Sequence, residues 1–158
     1  MNDLDLSPTV PIIDLDLSRP QAPRAPRSES LRIALVEDNG ALRRLLALVL
    51  LRDGHEVTEA RDAAELLELM ASSYVDGGTT PFDLVICEQT MPGITGISML
   101  AGLRTRDRVT PFILITGDED VQKRARRLGG IVLDHPFTLA AIRRAVRQST
   151  ELPPAAND

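Results

Sequence analysis

LRIALVEDNGALRRLLALVLLRDGHEVTEA, residues 31–60, sets the architecture of the chain. RIALVE (Arg32 to Glu37) is a short, almost wholly apolar run. Leu42, Leu45, Leu46, Val49 and Leu50 then fall on one helical stripe, Gly54 stops the helix, and EVTEA (Glu56 to Ala60) is a second short run. A strand, a helix and a strand in so short a span form a βαβ unit with parallel strands. The alternation continues outward. Asp62 and Glu65 suit a capping box, and Ala63, Leu66, Leu67, Met70 and Tyr74 give the second helix its buried face. DLVICE (Asp83 to Glu88), FILIT (Phe112 to Thr116) and IVLD (Ile131 to Asp134) read as three further strands. Helices are expected from Ile97 to about Arg104, from about Asp120 to Leu128 with Val121, Ala125 and Leu128 inward, and from Thr138 to about Ser149. The result is a (βα)5 α/β domain. Its first, third and fourth strands are almost wholly apolar, as expected of a parallel sheet covered on both faces.

The flanks read differently. Residues 1–30 carry prolines at 8, 11, 20, 23 and 26 and show no helical or alternating period, so they are expected to form a disordered tail. Within it DLDLS occurs twice, at Asp3 to Ser7 and at Asp14 to Ser18, as a short docking motif or as low-complexity solvating sequence. The basic prolyl stretch SRPQAPRAPR behaves as a stiff spacer. The expected organisation is a tail over 1–30, a domain over 31–149 and a second disordered tail over 150–158, with no output domain. With 158 residues, 43% hydrophobic and 26% charged, and a mean hydropathy of −0.04, the chain has no run long enough to span a bilayer. The acidic N-terminus lacks the pattern of a secretory signal, so a cytoplasmic location is expected. One cysteine, Cys87, and two histidines exclude a disulfide and a Cys/His zinc site. A net charge of −5 is the wrong sign for gathering nucleic acid.

In an open parallel sheet the site forms outside the carboxyl ends of the strands. Those ends carry Glu37-Asp38, Glu88, Thr116-Gly117 and Asp134-His135-Pro136, which brings carboxylates, a hydroxyl and an imidazole to one pole. With LVEDN (Leu35 to Asn39), GHEVTEARDAAELL (Gly54 to Leu67), FDLVICEQTMPGITG (Phe82 to Gly96), FILITG (Phe112 to Gly117) and HPFT (His135 to Thr138), the chain resembles the receiver domain of bacterial response regulators over about Leu31 to Arg147. The resemblance implies a flavodoxin-like, CheY-like fold with sheet order 2-1-3-4-5. It also implies a role in two-component or phosphorelay signalling. In that family two acids after the first strand hold Mg²⁺, and an aspartate ending the third strand accepts phosphoryl from a histidine kinase. A Ser or Thr ends the fourth strand, and a lysine precedes proline after the fifth.

Carried over residue by residue, Glu37 and Asp38 match the acidic pair and Thr116 matches the hydroxyl. Glu88 stands at the acceptor position, His135 at the lysine position, and Val132 where the family has an aromatic residue. The chain's one lysine, Lys123, lies in the fourth helix, away from this pole. Glutamate carries its carboxylate about an ångström further than aspartate, and in-line phosphoryl transfer loses roughly 10²-fold for an error of that size. Histidine is shorter than lysine and planar, and it supplies no fixed point charge. These departures predict a pseudo-receiver that works without phosphorylation, either held active-like or inert, and that acts by contact rather than catalysis.

Mg²⁺ is expected to bind weakly or not at all through Glu37, Asp38 and Glu88. The alternatives are a working Mg²⁺-dependent phosphoacceptor at Glu88 and, third, a metal-dependent hydrolase at the same pole; a transition metal including His135 is a further reading of that donor set. Signalling partners are expected at the tail and on the face of the fourth helix, fifth strand and fifth helix, where Lys123, Arg124, Arg127, Arg143, Arg144 and Arg147 cluster. No nucleic acid or membrane partner is expected. Leu51, opposite the first helix's buried stripe, and Leu48 at its edge leave a dimer or partner patch open.

Overall fold

The computed structural model describes residues 30–75, 80–106 and 109–151; the two DLDLS repeats, the rest of 1–29 and residues 152–158 lie outside the described residues. The chain alternates strand and helix throughout: β1 (Arg32–Val36), α1 (Gly40–Arg52), β2 (Glu56–Ala60), α2 (Ala63–Val75), β3 (Leu84–Glu88), α3 (Gly96–Arg104), β4 (Phe112–Ile115), α4 (Glu119–Arg127), β5 (Ile131–Leu133) and α5 (Leu139–Glu151). All strand pairs are parallel and the sheet order is β2-β1-β3-β4-β5. The expected (βα)5 flavodoxin-like arrangement is therefore present.

The period of two in the central strands builds a separate core on each face. Ala34, Val36, Val85, Cys87, Phe112 and Leu114 face α2, α3 and α4, where Leu66, Met70, Ile97, Leu100 and Ala125 meet them. Ile33, Leu35, Leu84, Ile86, Ile113 and Ile115 face α1 and α5, packing on Leu46, Leu50, Ile142 and Val146.

Side-chain caps start the helices and so fix where each one leaves the sheet. Asn39 accepts from the Leu42 N–H at 3.0 Å, Thr95 from Ser98 at 3.4 Å, and Asp118 from both Asp120 and Val121 at 2.9 and 3.1 Å. At α2, Asp62 accepts from the Glu65 N–H at 2.8 Å as the capping box predicts, but Glu65 reaches back to the N–H of Arg61, one residue earlier. Gly54 ends α1 at a φ of 92°, a conformation open to glycine at little cost. At the opposite end of the fold, Arg104 donates from Nε to the Leu128 carbonyl at 2.8 Å and from Nη1 to the Thr110 carbonyl at 2.9 Å.

Three sequence expectations change. Leu45 is 51% exposed and Leu67 is 43% exposed, so neither belongs to its helix's buried face. Each helix touches the sheet along a narrow strip: Leu46, Ala47 and Leu50 on α1, and Ala63, Leu66 and Met70 on α2. Leu45 and Leu67 lie about 100° around the axis from Leu46 and Leu66, on the outer side of these strips, and face solvent. The side chain of Tyr74, expected on the same α2 face, lies outside the described residues. Thr150 and Glu151 complete α5 and do not belong to a tail. Among the described residues no helix is long and apolar enough to cross a membrane.

Candidate functional site

The carboxyl ends of β1, β3 and β4 lie side by side because those strands are adjacent and in register, Val36 opposite Cys87 and Glu88 opposite Ile115. Glu37, Glu88 and Thr116 are consequently buried together at one pole. The turn after β5 brings His135 over them: its Nε2 lies 2.9 Å from Glu88 Oε2, joining the acceptor position to the lysine position directly. The other Glu88 oxygen accepts from the Thr90 N–H at 3.2 Å. Phe137 flanks the imidazole, with ring centroids 5.6 Å apart. His135 precedes Pro136 through a cis peptide bond.

Glu37 is the strained member of the group. Its Oε1 accepts from the Asn39 N–H at 3.0 Å, whereas Oε2 is buried without a hydrogen-bond partner. Burial, aided by the neighbouring charges of Asp38 and Glu88, pushes its carboxyl up to about 7, against the lowering effect of the Asn39 N–H. Asp38 is exposed at the rim. Thr116 is buried, and its hydroxyl oxygen accepts from the Asp118 N–H at 3.1 Å. Val132 is half-buried against the core under α4.

Two residues of this pole are not apparent from the sequence pattern. Gln122 is buried and donates its amide to the Thr116 carbonyl at 2.9 Å, tying α4 to the end of β4. Arg43 donates to the Glu37 carbonyl at 2.8 Å and pairs with Glu59 at 3.3 Å, which fixes the backbone beneath the acids. Their one sequence signal is polarity close to an otherwise apolar helix stripe, and polarity alone does not reveal a partner.

The donor set of Glu37 and Asp38 suits a hard cation, and the orphaned Glu37 Oε2 is the atom that lacks a counter-charge. Glu88 offers less, since both of its oxygens are engaged. Among the described residues no group of three or more His, Cys, Asp and Glu side chains converges on a metal position. The acidic pair fits Mg²⁺, whereas the full set of three expected ligands does not assemble. Cys87 is wholly buried beside these acids, and desolvation pushes its thiol far up, so no thiolate chemistry resides there.

The basic residues are placed unevenly. Lys123, Arg124 and Arg127 on α4, and Arg144 and Arg147 on α5, are exposed. Arg143 is committed to Asp53 at the end of α1, with contacts of 2.7 and 3.0 Å, and this bond holds the Asp53 carboxyl below its ordinary value.

Comparison with known proteins agrees with this geometry. Residues 33–147 match the model of the response regulator receiver domain. The transcriptional regulatory protein FixJ of Azorhizobium caulinodans is 36% identical over 124 residues, covering 77% of this chain and 56% of that protein. The chain spans about half the length of such curated relatives. The solved receiver domain of the hybrid histidine kinase CckA is 30% identical, with a TM-score of 0.59 over 76% of this chain and 99% of that one. The non-phosphorylated HemR receiver domain of Leptospira biflexa gives a TM-score of 0.68 at 24% identity, covering 80% and 98%, which shows the shared fold. The chain thus belongs to the response regulator receiver domains of two-component signalling.

Proposed function

We propose that this receiver domain signals without taking phosphoryl at its acceptor position, as a cytoplasmic module that works by protein contact rather than by catalysis. The single observation behind this reading is the 2.9 Å contact between Glu88 and His135. An acceptor carboxylate must present a free oxygen in line with the donor, and here one oxygen faces an imidazole while the other holds the Thr90 N–H. Opening the site for transfer means breaking the histidine contact, and the glutamate still misplaces the nucleophile. The contact also ties the end of β3 to the turn after β5, which stabilises one arrangement of the pole in place of two. Where Mg²⁺ binds, Glu37 and Asp38 would hold it, and it would supply charge neutralisation for the buried Glu37 carboxylate. The readable surface is the basic side of α4 and α5, where Lys123, Arg124, Arg127, Arg144 and Arg147 suit an acidic partner. Arg143 is engaged elsewhere and is left out of that surface.

The test is intact mass after incubation with acetyl phosphate and Mg²⁺, run beside a Glu88→Asp, His135→Lys double variant. No phosphoryl adduct is expected on the natural chain and one is expected on the variant. An adduct on the natural chain overturns the proposal and restores the phosphoacceptor reading.

A further inference from the structure

Away from the acidic pole, α1 presents an apolar ridge to solvent. Leu45, Leu48 and Leu51 are 51%, 60% and 50% exposed and stand three residues apart, so they cover one side of the helix over about 9 Å. Arg44 and Arg52 flank them, both exposed and without an ion-pair partner among the described residues. Single exposed leucines are ordinary. Three in line beside two exposed arginines make a surface for a segment that alternates leucine with acid.

The chain carries such a segment twice, as DLDLS at Asp3 to Ser7 and at Asp14 to Ser18. The N-terminal residues also join the domain in the right place. The Leu31 N–H donates to Nδ1 of His55 at 3.2 Å, three positions past Arg52, so the first described residues, Ser30 and Leu31, stand beside the C-terminal end of α1. From Ser18 to Leu31 an extended chain reaches roughly 40 Å, whereas the ridge is about 9 Å long.

We infer that a DLDLS repeat of the same chain docks on the α1 ridge, its leucines against Leu45, Leu48 and Leu51 and its aspartates on Arg44 and Arg52. The β2 edge and the basic helix faces fit less well. The free edge of the sheet at β2 exposes Glu56 and Glu59, which repel Asp14 and Asp16. The basic faces of α4 and α5 offer charge, with Leu139 as their one large exposed apolar side chain. A second copy of α1 would set arginines against arginines. The ridge lies apart from Glu88 and His135, so the inference stands whether or not the acceptor position takes phosphoryl.

Disulfide trapping in the full-length chain tests it. Cys87 is wholly buried with its thiol held protonated, so introduced cysteines report alone. Leu48→Cys is combined with Ser18→Cys, which leaves both leucines and both aspartates of the second repeat intact. The control pairs Ser18→Cys with Gln148→Cys, an exposed site on α5 over the same face of the sheet. Since tethering alone raises the effective concentration at both sites, the ratio of rates is the readout, and at least about a tenfold excess at position 48 is expected. Replacing Asp3, Asp5, Asp14 and Asp16 with lysine should abolish that excess. Equal rates at the two sites overturn the inference, as does an excess that survives charge reversal. Predominant intermolecular disulfides at position 48 overturn it in favour of a second copy.

Discussion

The interior of strands β1, β3 and β4 and the two glutamates at the ends of β1 and β3 are both buried and differ in what they gain from it. Along the strands, Ile33, Leu35, Val85, Ile86, Phe112 and Leu114 are shut away from water, and each contributes the full benefit of apolar burial. A residue or two further on, Glu37 and Glu88 are buried as well, and there burial takes polar groups out of water. Glu88 offsets the cost with an imidazole and a backbone N–H, and Glu37 offsets only half of it. One sheet therefore supplies a stabilising body and a locally destabilised tip where the buried acids gather.

Three substitutions probe the contrast. Phe112→Ala empties the largest fully buried site and should destabilise by about 3–5 kcal/mol in urea unfolding, with the slope unchanged. A loss below about 1 kcal/mol would mean that the body is not the rigid partner assumed. Glu37→Gln should act in the opposite sense. With an ordinary value of 4.5 and a folded value of about 7, the native state binds more protons than the unfolded state between those pH values, so stability falls as pH rises from 4.5 to 7. The amide removes that loss. The variant should match the natural chain below pH 4.5 and exceed it above pH 7, by up to roughly 3 kcal/mol, in thermal melts at the two ends of the range. A constant difference across pH would remove the tip from the contrast. Gly96→Ala tests the seam between the regions, because its Cβ would stand 2.5 Å from Leu114 Cδ1 in the body and 2.6 Å from the Glu88 carbonyl at the tip. About 1–3 kcal/mol of destabilisation is expected, smaller than for Phe112→Ala, and an unaffected midpoint would show that the seam yields.

The sequence discloses the body more fully than the tip. Apolar runs such as FILI and LVIC carry their own period, so all the strands and helices are legible from residue type. Sheet order and the meaning of Glu37, Glu88, Thr116 and His135 come from the resemblance to receivers, which maps residues onto roles. Side-chain direction is not encoded so locally. Leu45 and Leu67 satisfy a helical period and still face water, because which flank of a stripe meets the sheet depends on how the helix is set down. Gln122 on the Thr116 carbonyl and Arg43 on the Glu37 carbonyl join residues of different elements, and a linear pattern carries no mark of such partners. The Glu88–His135 contact bridges 47 positions; the two residues were legible as departures, and their meeting required the fold.

Arg104 gives the fold a mechanical property. Its guanidinium bridges the Leu128 carbonyl, just past the end of α4, and the Thr110 carbonyl, just before β4. It works as a rivet with two shanks set in different plates. Sliding α4 along α3 shears the Leu128 bond, and lifting the entry of β4 shears the Thr110 bond. Lysine at this position would provide a single point of attachment and leave one joint free to slip. Displacement of α4 therefore loads α3 from its far end, and the two helices are coupled as one lever.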